Sequence, residues 1–193
     1  MLKVAITGNI ASGKSAVESI LREKGFAVYD TDEIAHEVLA NSAEIKNVFQ
    51  GYDILTEGKI DRKKLGNLVF SNPEKLKLLE SLVHPLVKER ILQIFENENY
   101  EIIFISVPQL FEAGFEDIFD KVICVTSDKT IRLERLMQRN NYTKTEALRR
   151  INAQTDDDYK LQKSDFVIEN NGNLEDLKFK SENLINILKN VKI

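Results

Sequence analysis

Lys14 and Ser15 close the run Gly8-Asn9-Ile10-Ala11-Ser12-Gly13-Lys14-Ser15, which reads G-x-x-x-x-G-K-S. That spacing suits one task. A triphosphate is held by backbone N–H groups, so the backbone must approach the anion closely and turn where side chains would obstruct it. Gly8 and Gly13 allow this. Lys14 has the reach for the β- and γ-phosphates, and the Ser15 hydroxyl offers a hard oxygen to Mg²⁺. A helix starting near Lys14 aims its dipole and free amides at the same charge. The expected ATP-phosphate contacts are therefore Gly8, Asn9, Ile10, Ala11, Ser12, Gly13, Lys14, Ser15 and Ala16.

A second group is Asp30-Thr31-Asp32-Glu33. Asp30 with Glu33 fits a helix capping box, and Asp32 suits the first turn of a helix. Phosphoryl transfer, however, requires a carboxylate to receive the proton of an acceptor hydroxyl, and Asp32 is the candidate. Arg132, Arg135 and Arg139 share a helical face, with Arg149 and Arg150 on the helix that follows. Arg132 is expected on a solvated face, and the remaining arginines could close over the transferring group as a lid. Asp156-Asp157-Asp158 reads as a solvated acidic loop. His84, before Pro85, is either a packing or capping residue or a ligand contact. Leu110 and Phe111 are either core or an apolar substrate wall. The strand before them, Ile102 to Val107, ends without the aspartate that many P-loop ATPases direct at Mg²⁺.

The elements positioning these groups follow from periodicity. Leu2–Thr7 is a strand. Ala16, Val17, Ile20 and Leu21 recur at helical spacing, Gly25 stops that helix, and Phe26–Tyr29 is a second strand. Strand–loop–helix–strand implies a parallel sheet. Residues 34–95 read as helical without a strand: a helix broken at Asn41-Ser42, a loop over 51–58, a helix over 61–70, and another begun by Asn72-Pro73 and interrupted at Pro85. Strands return at 102–107, 121–126 and 165–168, with helices at 130–139 and 142–154 and a closing helix over 174–188. The expected fold is α/β: a P-loop NTPase-type five-stranded parallel sheet with helices on both faces, an inserted helical substrate lobe and a helical lid. It forms one kinase domain, with a core at 1–33 and 100–193, an acceptor lobe at about 34–98 and a lid at about 139–155.

The chain has 193 residues and a net charge of −4, which argues against a broad nucleic-acid surface. Its single cysteine, Cys124, excludes an internal disulfide and sits in an apolar run, as a buried thiol would. A strand at Leu2 leaves no room for a signal peptide, and no apolar run reaches membrane-span length, so a cytoplasmic protein is expected. A GTPase switch is disfavoured: N-K-x-D is absent, and the third strand runs into Pro108 instead of D-x-x-G.

In order along the chain, ITGNIASGKS, VYDTDEIAHEV, RKKLGNLVF, LLESLVHPLV, VPQLFEAG, RLERLMQR, RRINAQ and SDFVIENNG resemble the dephospho-CoA kinase family. The resemblance implies transfer of the ATP γ-phosphoryl group to the ribose 3′-hydroxyl of dephospho-CoA, with ATP and Mg²⁺ required and the two small molecules as partners. No nucleic acid or membrane partner is expected, and the state is a monomer or small homo-oligomer. It implies Asp32, Lys14 and Arg139 as catalytic. The acceptor contacts would be Thr7, Asp30, Asp32, His84, Leu110 and Phe111. Arg135 and Arg150 would be further phosphate contacts, and Ser15 the Mg²⁺ ligand. Asn9 and Ala11 stand where the family usually carries glycine, Gln109 where it carries leucine, Arg132 where glutamine is common, and Ser164 where alanine is usual. The rivals are another small-molecule kinase of this fold, such as a nucleoside monophosphate or shikimate kinase, and an ATP-dependent regulator without an acceptor.

Overall fold

The computed structural model describes residues 1–191; Lys192 and Ile193, the last two residues of the expected core, lie outside the described residues. The apolar run at the start forms β1 (Leu2–Thr7), and the phosphate-loop sequence leads into α1 (Lys14–Glu23). Gly25, at φ 85°, takes the left-handed conformation that ends the helix and turns the chain into β2 (Ala27–Asp30).

Asp30 opens a helical unit that runs to Glu98. Its helices are α2 (Thr31–Asn41) and α3 (Ala43–Val48), then α4 (Arg62–Phe70) and α5 (Pro73–Asn97) after a small hairpin. Each begins on a side-chain acceptor. Asp30 takes the amide of Asp32 at 2.7 Å, Ser42 that of Ile45 at 3.2 Å, Asp61 those of Lys63 and Lys64 at 2.9 and 3.1 Å, and Asn72 those of Glu74 and Lys75 at 3.0 and 3.1 Å. Ile45, Phe49, Leu65, Val69, Val87 and Ile91 are buried within this unit.

Two expectations for this region are corrected. The stretch read as strandless contains β3 (Leu55–Thr56) paired antiparallel with β4 (Lys59–Ile60). Glu57 and Gly58 both have positive φ, 51° and 75°, which is the tight hairpin turn whose twist suits paired strands. Pro85 does not interrupt α5, which continues through it. The proline is exposed, so the carbonyl whose amide partner it removes, on the exposed Ser81, can be met by water.

The chain from Asn99 onward forms a second unit with Met1–Tyr29. It contains β5 (Ile102–Ser106), β6 (Lys121–Thr126), α6 (Lys129–Asn140), α7 (Lys144–Asn152), α8 (Asp157–Lys163), β7 (Phe166–Glu169) and α9 (Leu174–Lys189). The sheet order is β2-β5-β1-β6-β7, and β1 lies parallel between β5 and β6. Alternate residues divide the sheet into faces. Val4, Ile6, Phe104, Ile123, Val125 and Ile168 pack with Val17, Ile20 and Leu21 of α1 and with Leu177, Leu184 and Leu188 of α9. Ala5, Ile103, Ile105, Val122 and Cys124 point the other way and are equally buried. Both faces are covered, which explains the continuous apolar runs.

Candidate functional site

The loop between β1 and α1 is held open by backbone that only certain residues tolerate. Gly13 has φ 98°, and a Cβ there would collide with the Nδ2 of Asn170. A Cβ on Gly8 would collide with the carbonyl oxygen of Val125 and lie 2.9 Å from Ser12 Oγ. Ala11 also sits at positive φ, 61°, a conformation costing an ordinary residue about 1–2 kcal/mol. Its packing beside Leu136, Ala147 and Ile151 of α6 and α7 offsets that cost.

The loop is tied down from later parts of the chain. Asn170, just past β7, donates from Nδ2 to Ser12 O at 2.8 Å. Arg135 donates from Nη1 to the same carbonyl at 3.5 Å and from Nη2 to Asn170 O at 3.0 Å. Asn9 donates from Nδ2 to Thr155 O and to Asp157 Oδ1, both at 2.8 Å. Gln154 Oε1 accepts from Ile10 N at 2.7 Å.

Lys14 stands at the first position of α1 and is the loop's cation. Its Nζ meets Glu18 Oε1 at 2.8 Å and is also bonded to Ser106 Oγ. Burial works to raise the Glu18 pKa, but Lys14, Ser106 and Arg22 together outweigh it and hold the carboxyl below the ordinary range. Ser15 is exposed beside Lys14.

Arg135 is thus the one arginine of the expected set seated on the loop. Arg139 is exposed and donates to Asn140 Oδ1 at 3.0 Å, and Arg150 lies over the Tyr142 ring, 4.7 Å from its centroid. Arg132 corrects the sequence reading. It is 2% exposed and forms a double contact with Asp157, at 3.1 and 2.5 Å. Asp156–Asp158 is accordingly not a free acidic loop. Asp156 caps α8 through the amide of Asp158, and Asp157 is the joint between α6, α8 and Asn9. Thr7 is fully buried, with its hydroxyl donating to Pro108 O at 3.4 Å. Leu110 is fully buried among the core residues. Phe111 is only partly buried and packs edge-on to Tyr159 at 5.8 Å.

Two residues were missed altogether. Lys160 is 2% exposed; its Nζ donates to Pro108 O at 2.8 Å and pairs with Glu112 at 3.0 Å, fixing the turn after β5. Glu18 is the other. Neither carries a motif: the partners of Lys160 lie on another element, and Glu18 joins helix neighbours at i, i+4 spacing to Ser106, 88 residues further on.

In the helical unit, Asp32 is an exposed first-turn residue of α2, Asp30 is that helix's cap, and His84 is half-buried in α5. The unit also contains a cavity of about 610 Å³ whose lining includes His36, Arg62, Lys63, Leu65, Val69 and Leu79. The basic pair opening α4 was the available sequence signal for it.

A five-stranded parallel sheet carrying this loop ahead of α1 defines a P-loop kinase-type nucleotide-binding protein. A shikimate kinase from Acinetobacter baumannii shares that fold at a TM-score of 0.56 with 12% identity. A model of the Dephospho-CoA kinase family matches residues 2–176, and the chain belongs to that family. It is 40% identical over 177 residues to a dephospho-CoA kinase from Fusobacterium nucleatum, covering 90% of this chain and 92% of that one. Dephospho-CoA kinase from Campylobacter jejuni superposes with a TM-score of 0.76 at 34% identity, covering 96% of each chain.

Proposed function

We propose that this chain transfers the γ-phosphoryl group of ATP to the ribose 3′-hydroxyl of dephospho-CoA, giving coenzyme A and ADP. The observation that carries this is the family match over residues 2–176 on a loop that keeps Gly8, Gly13, Lys14 and Ser15. Catalysis of this kind is mostly positioning and charge neutralisation. The amides of Ile10 and Ser12 are already taken, by Gln154 Oε1 and by Asn9 O at 3.1 Å. Those of Ala11 and of Gly13 to Ser15 therefore hold the phosphates, and Lys14 leaves Glu18 and Ser106 to meet the β/γ charge.

Asp32 orients the acceptor hydroxyl and receives its proton, with Asp30 fixing the start of α2. Arg139 neutralises the transferred group, Arg150 is free to swing from the Tyr142 ring to assist, and Arg135 holds the loop. His84 and the cavity with Arg62 and Lys63 serve the acceptor, and Phe111 meets its apolar arm. Residues 139–155 act as the lid. Ser15, an exposed residue with a hydroxyl oxygen to offer, fits Mg²⁺, a hard cation bound by few protein oxygens together with substrate phosphates. When bound, that ion neutralises charge on the β- and γ-phosphates. A biosynthetic kinase with no helix long and apolar enough to cross a membrane among the described residues suits the cytoplasm.

ADP release from Mg-ATP, with dephospho-CoA, shikimate and nucleoside monophosphates offered separately, tests this reading. ADP appearing with dephospho-CoA alone, beside a product bearing a new 3′-phosphate, is expected. ADP with a different acceptor would reassign the substrate. Tight ATP binding without acceptor-dependent turnover would make the chain a regulator.

A further inference from the structure

The strand that would carry a metal-directed aspartate ends in Ser106, followed by Val107 and Pro108. A carboxylate is nevertheless present at that spot, delivered from another element. Glu18 of α1 is 3% exposed, and its Oε1 accepts from Ser106 Oγ at 2.7 Å and from Lys14 Nζ at 2.8 Å. Lys14 and Ser106 also touch each other, so the three form a closed triangle. Arg22 adds only a distant contact, 3.7 Å from Oε2, and is itself 45% exposed. Ser15 and Glu18 are three residues apart and Lys14 and Glu18 four, so one helix face presents all three side chains.

A surface lysine–glutamate pair at this spacing stabilises a helix only slightly. Taking the carboxylate out of water costs more than such a pair returns. The neighbouring inward positions of α1 are the apolar Val17, Ile20 and Leu21. We propose that Glu18 is the positioning carboxylate of the phosphate site. Through the Ser106 hydroxyl it does the work of the absent strand-end aspartate. It holds Lys14 in register before ATP arrives, and it orients the water shell of Mg²⁺ at Ser15 once Lys14 has moved to the phosphates. This rests on the phosphate-loop reading of the same residues.

The test compares ATP binding by calorimetry in Mg²⁺ and in EDTA for the wild type, Glu18→Gln, Glu18→Ala and Glu18→Ala/Ser106→Asp. Manganese affinity in the presence of a non-hydrolysable ATP analogue, read by electron paramagnetic resonance, is measured alongside, and thermal unfolding checks that each variant folds. Glu18→Gln keeps the shape of the side chain, so it remains informative if the alanine variant unfolds. The expected result is a loss of about tenfold or more in the metal-dependent gain in affinity for both single variants, with EDTA affinity little changed, because groups that orient a metal's ligands carry effects of that size. The aspartate at position 106 should restore the gain. An undiminished metal-dependent gain in Glu18→Gln would overturn the proposal, as would equal weakening with and without the metal. A folded double variant that fails to recover would place the effect in α1 itself, and the relay would fall. If the wild type binds ATP in neither condition, the phosphate-loop reading fails first.

Discussion

Arg132 and Asp157, 25 residues apart, meet through two hydrogen bonds, one at 2.5 Å, with the arginine almost wholly out of solvent. The same aspartate accepts from Asn9. One ion pair thus links α6, the start of α8 and the phosphate loop. Arg132→Lys keeps the charge but cannot span both oxygens. It is expected to lower stability by about 2 kcal/mol, the cost of leaving a hydrogen-bonding group without its partner. The midpoint of urea unfolding measures this, and an unshifted midpoint would show the pair to be incidental.

Gly13→Ala should damage the loop twice. Its φ of 98° is unfavourable for alanine, and the new methyl would strike the Asn170 amide that holds Ser12. The backbone part alone is expected to cost about 1–2 kcal/mol, and ATP affinity should fall with it. Thermal unfolding and ATP calorimetry on the same preparation measure both.

Lys14→Ala should lose about 3 kcal/mol or more of transition-state stabilisation, the scale for removing a positioned electrostatic group. Asp32→Asn should instead lower kcat strongly while ATP affinity stays near normal. Steady-state kinetics paired with nucleotide binding separate the two, and full turnover in Asp32→Asn would remove it as the base.

Cys124 lies inside β6, where burial pushes its thiol up to about 11. At neutral pH it is a protonated, enclosed thiol, so a disulfide reagent should react slowly with the folded enzyme and rapidly in denaturant. Fast labelling of the folded protein would mean that β6 opens readily.

Burial tends to raise the Glu112 pKa, but hydrogen bonds from Thr155 and Lys160 prevail and hold it below its ordinary value of 4.5. The unfolded chain therefore takes up this proton at higher pH than the folded chain. Its stabilising contribution is complete above about pH 4.5 and is lost as pH falls through the depressed folded value. Acid unfolding followed by circular dichroism should be less steep in Glu112→Gln.

The phosphate loop and the sheet were legible because both rest on local signals: a glycine-bounded spacing and unbroken apolar runs of strand length. What escaped was long-range pairing. The arginine stripe of α6 looks solvated until Asp157 is placed against it, and Lys160 looks like a surface residue until the turn at Pro108 is folded beneath it. The β3–β4 hairpin is too short to show alternation. Pro85 was given a helix breaker's usual effect, which an exposed position on a long helix does not enforce. Glu18 was hidden because an i, i+4 pair on a helix ordinarily means little.

The bond from Asn170 to Ser12 spans 158 residues, and it bears on the order of folding. The central strand depends on distant partners likewise: Leu2 lies opposite Ile102 of β5, and Val4 opposite Lys121 of β6. Contacts so far apart in sequence carry a large loop-closure cost and form late. The G-x-x-x-x-G-K-S sequence therefore gains its shape only when β7 and the turn after it have docked, and a partly folded chain would bind ATP weakly.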